Sequence, residues 1–152
     1  MEEFAGAALG DERLNQRLVK LATRFADNPT ASIPGACGDW SETQAAYRFF
    51  EQSSGRKRAL GWQDILAPHM ACTEARMRQH PVVLCLQDTT ELDFNGQEMA
   101  GLGPLSHEAQ RGMYLHPTYV VTPDREPLGV TDAWMWARET KREDGQRPGI
   151  LE

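Results

Sequence analysis

At His80-Pro81 the hydrophobic period of the chain changes, and a chain that changes period does not fold as a single kind of layer. Before this point apolar residues recur at helical spacing; after it they run together or alternate, as in strands. Asp11 to Asp27 reads as an amphipathic helix. Asp11 follows Gly10 and can accept a hydrogen bond from the first turn. Leu14, Leu18, Leu21 and Phe25 then share one face, and Asn28-Pro29 ends the run, because the residue before proline is driven out of the helical region. A second helix is expected from Ser41 to about Gln52, with Ser41-Glu42-Thr43-Gln44 at capping-box spacing and Tyr47, Phe49 and Phe50 as buried bulk. A third lies between Gly61 and His80. Pro68 inside it predicts a kink, or a second helix that it opens.

Past His80-Pro81, Val82 to Leu86 is a short apolar run of the kind found in the middle of a sheet. Gly96, Gly101, Gly103, Pro104 and Gly112 mark residues 95–112 as a loop, the least ordered internal segment expected. Met113–Thr122 is a second strand and Pro123-Asp124-Arg125-Glu126 a turn. Leu128–Ala137 is a third strand, with Val130, Trp134 and Trp136 on one face. Arg138 to Gly149 is charged and patternless. The fold class is α+β, with residues 1–80 helical and 81–152 built on three strands.

The net charge of −6 argues against a uniformly sticky nucleic-acid coat. Its distribution is uneven: basic and acidic groups balance over residues 1–60, and the remainder supplies the whole excess. Cys37, Cys72 and Cys85 are odd in number and widely spaced, so neither a disulfide framework nor a cysteine zinc site is expected. Met1-Glu2-Glu3-Phe4 lacks the pattern of a secretory signal, and no apolar run approaches a membrane span. A soluble cytoplasmic protein without a membrane partner is expected.

Two features carry chemistry. Arg13, Arg17, Lys20 and Arg24 repeat at +4, +7 and +11, and at ~100° per residue they fall within about 60° of one another. The stripe lies beside the leucine face and suits either contact with DNA phosphates or plain solvation. Its nearby acidic partners are Asp11, Glu12 and Asp27. Tyr47, Arg48 and the Arg56-Lys57-Arg58 cluster would extend the surface. The second feature is Asp88, directly after the apolar run, placed either as a metal ligand or, with Thr89 and Thr90, as turn chemistry. Glu91 and Asp93 alternate with Leu92 and Phe94 and read as a solvated strand face. His116 reads as a hydrogen-bonded structural residue. The histidines show no metal spacing, and no nucleophile elbow, Walker loop or dinucleotide fingerprint is present.

Leu9-Gly10-Asp11-x-Arg13-x-x-x-Arg17-Leu18, Ala45-Ala46-Tyr47-Arg48-Phe49-Phe50 and Gln87-Asp88-Thr89-Thr90 occur in that order. Gly101-Leu102-Gly103-Pro104-Leu105, Arg111-Gly112 and Pro127-Leu128-Gly129 follow. Together they resemble bacterial DDE transposases of the insertion-sequence-four family, over about residues 6 to 140.

The resemblance implies a helical domain, residues 1–80, that binds the terminal inverted repeats of a transposon as double-stranded DNA. Arg17 and Arg48 match positions that face DNA, and Arg13, Lys20, Arg24 and Tyr47 join them as candidates. It further implies that 81–152 begins a ribonuclease-H-like catalytic domain cut short after three strands. Asp88 matches the first of three carboxylates that bind Mg²⁺ or Mn²⁺. The second Asp and the Glu of that set have no counterpart here, so neither stable metal binding nor strand cleavage is expected of this chain alone. A homodimer in a synaptic complex also follows from the resemblance. The rival reading is a stand-alone DNA-binding regulator, or an inactive relic.

Overall fold

The computed structural model describes residues 2–51, 60–97, 99–107, 109–139 and 149–151. They form two compact units, Met1–Cys72 and Thr73–Glu152, divided inside the last helix.

The first unit opens with a single 3-10 turn, Glu2–Phe4, followed by α1 (Glu12–Asp27), the short α2 (Ile33–Ala36), α3 (Trp40–Glu51) and α4 (Trp62–Met77). Asp11 caps α1 as the sequence predicts, its carboxylate accepting the Arg13 N–H at 2.9 Å. The leucine face turns inward: Leu14, Leu18 and Leu21 are buried with Leu9, Ala46 and Phe49, and Phe25, Ile33 and Ile65 pack around them. Ser32 caps α2.

α3 starts one residue earlier than expected and has a different cap. Asp39, not Ser41, accepts the N–H of Glu42 at 2.8 Å, and its carbonyl takes the N–H of Thr43 at 3.0 Å. Asp39 is therefore the N-cap, and the Glu42 carboxylate reaches back past it to the Gly38 N–H. Aspartate caps as well as serine, and both spacings were available in one stretch. Of the three aromatics expected to be buried, only Phe49 is; Tyr47 and Phe50 are exposed. α4 runs unbroken through Pro68.

In the second unit every strand pairing is antiparallel, and the organising strand is β4 (Arg111–Val121). β1 (Leu84–Gln87) and β2 (Thr90–Asp93) pair with β4 in one continuous register, from Leu84 opposite Val121 to Asp93 opposite Gly112. The ladder lapses only at Asp88-Thr89. β3 (Gly103–Pro104) pairs with the start of β4, β5 (Pro127–Arg138) with most of its length, and β6 (Ile150–Leu151) with the end of β5. The end of α4 from Thr73 onward belongs to this second unit, and within it Arg76 Nε donates to the Leu128 carbonyl at 2.6 Å.

Six strands therefore stand among the described residues where three were expected. The extra ones are two to four residues long and leave too little pattern to read. β1 is not a mid-sheet strand: it lies at the end of the strand order and all four of its residues are exposed. Apolar composition shows what a strand can bury, not what covers it. Residues 95–112 are not a free loop either. Glu91 accepts the Ser106 N–H and Asp93 takes Gln110 Nε2, both at 2.9 Å. These carboxylates are exposed, as the alternation predicts, and they also fasten the segment to β2. The Ser106 hydroxyl and N–H hold the Glu91 carboxyl below its ordinary range.

β5 carries a register shift opposite Thr118/Tyr119, so Val130 pairs with Tyr119 while Trp134 pairs with His116. Val130 thereby leaves the face that Trp134 and Trp136 share. Those two indoles stack at 4.4 Å, Trp136 stacks on Tyr114 at 5.3 Å, and Arg138 lies over the Tyr114 ring at 4.5 Å. Arg138 thus belongs to β5 and not to a patternless tail; of that stretch, 140–148 lies outside the described residues.

Candidate nucleic-acid interface

Burying the leucine face of α1 against α3 sets the arginine stripe at the margin of the helix pair. There Arg13 and Arg17 of α1 meet Arg48 of α3 over an open notch of about 310 Å³. The buried Leu14 and Phe49 line it together with Asp11. The Arg13 side chain is 92% exposed, and its nearest carboxylate contact, Asp11 at 3.7 Å, is a solvent-screened pair of little weight. Three arginines from two helices thus line one concave surface, and the guanidinium is the side chain that hydrogen-bonds phosphate oxygens in bidentate fashion.

The same stripe changes character one turn further along α1. A smaller adjoining cleft of about 150 Å³ is bordered by Arg17, Lys20, Asp39, Ser41 and Glu42. The Glu42 side chain is only 6% exposed, and its carboxylate accepts from three sides. Lys20 Nζ stands 2.5 Å from Oε1, Arg24 Nε 3.1 Å from Oε2, and the Gly38 N–H also donates to Oε2. The Lys20 ammonium foremost, then the Gly38 N–H and the Arg24 guanidinium, hold the Glu42 carboxyl at about 2 against an ordinary 4.5. Space beside it is tight: a Cβ at position 38 would stand 3.0 Å from both Arg24 Nη2 and Glu42 Oε2, so these side chains would have to shift by a few tenths of an ångström. Asp39 is also held below its ordinary value by the Glu42 N–H and the Ser41 hydroxyl.

Of the six residues named as DNA contacts, the structure therefore brings Arg13, Arg17 and Arg48 together at the notch. It places Lys20 and Arg24 on a buried carboxylate. Tyr47 is 43% exposed and does not line the notch. Arg56-Lys57-Arg58 lies outside the described residues. Glu42, which sequence reasoning did not single out, is where these two cations converge. Its signal was present in its place as the third residue of α3, but its cations stand 22 and 18 positions earlier, and only the packing of α1 on α3 joins them.

Asp88 follows β1, exposed, and its Oδ1 accepts the N–H of Thr89 at 2.9 Å. Thr89 Oγ1 lies 2.7 Å from His116 Nδ1 across the lapse in the ladder. Among the described residues no group of three or more His, Cys, Asp or Glu side chains gathers to hold a metal ion. Mg²⁺ keeps its waters unless several oxygens are arranged around it. A single exposed carboxylate does not fit such an ion. Among the described residues, too, no helix is long and apolar enough to cross a membrane.

Residues 1–54 match the family model described as transposase DNA-binding. The match supports a transposase N-terminal domain, with DNA as its partner. It covers α1, α2 and α3, and so contains both the arginine notch and the Glu42 cluster.

Proposed function

We propose that the Met1–Cys72 unit holds duplex DNA by its phosphates at the notch between α1 and α3, as the end-binding part of a cut-and-paste transposase of the insertion-sequence-four type. The observation that carries this reading is the meeting of Arg13, Arg17 and Arg48 over one open notch within the matched residues. Phosphate contacts set register and affinity; preference for the terminal inverted repeats rests on base contacts or DNA shape added to them. The sheet unit is read as the opening strands of a ribonuclease-H-like domain, with Asp88 matched to the first carboxylate of that family's set. The described residues provide no companions for it, and no cleavage step is assigned to this chain.

The test is fluorescence anisotropy with a labelled duplex over a series of KCl concentrations, comparing the wild-type chain with Arg17→Gln and Arg48→Gln. Each phosphate contact contributes about 0.9 to the slope of log K against log salt. Each substitution is expected to weaken binding and flatten the slope by roughly 1. Unchanged slopes in both variants refute the notch. A duplex carrying the transposon's own end is expected to outcompete a scrambled one; equal competition refutes the terminal-repeat part alone.

A further inference from the structure

The groove between α1 and α3 is electrically uneven, and the unevenness has one cause. Arg17 borders both stretches. In the notch it is joined by Arg13 and Arg48 against one carboxylate, Asp11. In the smaller cleft it is joined by Lys20 against Asp39 and Glu42, and Arg24 is drawn onto Glu42 as well. Lys20 and Arg24 are still 57% and 39% exposed, so both reach water from where they stand. Both are held by the carboxylate between them. Withdrawing either cation leaves a buried charge with fewer partners, and a buried carboxylate tolerates that poorly.

We infer that Glu42 is a specificity-setting positioning residue, which subtracts Lys20 and Arg24 from the DNA-facing charge and confines phosphate contact to the Arg13/Arg17/Arg48 end of the groove. Sequence-independent affinity scales with the number of phosphates neutralised. A domain that presented the whole stripe would bind any duplex more tightly and slide on it with less discrimination. By occupying two of the cations, Glu42 lowers that background and polarises the groove, so the DNA backbone enters at one end. This inference rests on the DNA-binding reading of the notch.

Anisotropy titrations of the full chain on a scrambled duplex across KCl concentrations test it. The variants are Glu42→Gln, Lys20→Gln, the two combined, and Arg17→Gln and Arg48→Gln as references. Glutamine at 42 still offers Gly38 an acceptor oxygen but no charge, so the capping contact survives and the cations are released. Glu42→Gln is expected to raise affinity for the scrambled duplex and to steepen the salt slope by about 1 to 2. Lys20→Gln alone is expected to leave the slope unchanged, and in the Glu42→Gln background to take back about one contact. A role confined to packing α3 on α1 would not produce that reversal. Lys20→Gln flattening the slope as Arg17→Gln does, or a folded Glu42→Gln with the wild-type slope, overturns the inference. Should Glu42→Gln fail to fold, Lys20→Gln against Arg17→Gln decides, because Arg24 still holds Glu42 in that variant. Wild-type slopes in both Arg17→Gln and Arg48→Gln refute the notch itself and this inference with it, whereas Lys20→Gln matching a flattened Arg17→Gln refutes the inference alone.

Discussion

Arg24 Nε stands 3.1 Å from Glu42 Oε2, tying the last turn of α1 to the first turn of α3. Lys20 completes the clamp from the same helix. The two helices that form the arginine notch are thus held in register by a charge cluster beside it as well as by the Leu14, Leu18 and Phe49 packing beneath.

The clamp makes the helical unit acid-sensitive. Glu42 has its folded carboxyl at about 2 and an ordinary value of 4.5. As pH falls through that interval the unfolded chain binds the proton first, so stabilisation complete above 4.5 is lost progressively on the way to 2. Asp39, also lowered, acts in the same direction. Urea denaturation followed by helical circular dichroism should show wild type more stable than Glu42→Gln at neutral pH. The difference should close on acidification through this window. Parallel pH profiles for the two chains would show that the cluster contributes nothing.

The first helix was legible because one residue type per face recurs over four turns, and Asp11 caps it where the spacing says. The change of period at His80-Pro81 separated helix from strand for a similar reason, since each pattern persists over many residues. Partners across space left no such trace. Lys20 and Arg24 repeat with Arg13 and Arg17 as if equivalent, and only the fold reveals that a carboxylate on another helix claims two of the four. The run Val82–Leu86 shows the same limit. Its composition is that of a covered strand, and its observed exposure depends on what lies over it.

That exposure predicts tolerance in β1. Leu86 is 49% exposed and pairs across the ladder with Tyr119, itself exposed. Leu86→Thr keeps a strand-forming side chain and removes apolar surface from an edge, where unpaired backbone invites association with another chain. Its thermal unfolding should lie within about 1 kcal/mol of wild type, the scale of one cross-strand pair. Light scattering on heating should fall. A loss of several kcal/mol would mean that Leu86 is buried in the folded protein.

Gly112 is the opposite case. It has partners on both sides, Asp93 of β2 and Gly103 of β3, and is buried between them. A Cβ there would stand 2.0 Å from the Leu92 carbonyl oxygen and 2.9 Å from Leu105 Cδ1. The leucine side chain can turn aside, but the carbonyl belongs to the strand and moves only with it. Overpacking of this kind typically costs about 1–3 kcal/mol, and a backbone obstacle belongs at or above the top of that range. Gly112→Ala is therefore expected to destabilise the sheet unit by ~3 kcal/mol or more. The stacked Trp134 and Trp136 provide a fluorescence signal from that unit. The arginine notch is built wholly from residues of the Met1–Cys72 unit. Duplex affinity and its salt slope should consequently persist in Gly112→Ala at temperatures where the sheet signal is already lost. Wild-type stability in this variant would show that β2 and β3 do not close on Gly112 together. Loss of DNA binding in step with the sheet would show that the notch depends on the second unit for its shape.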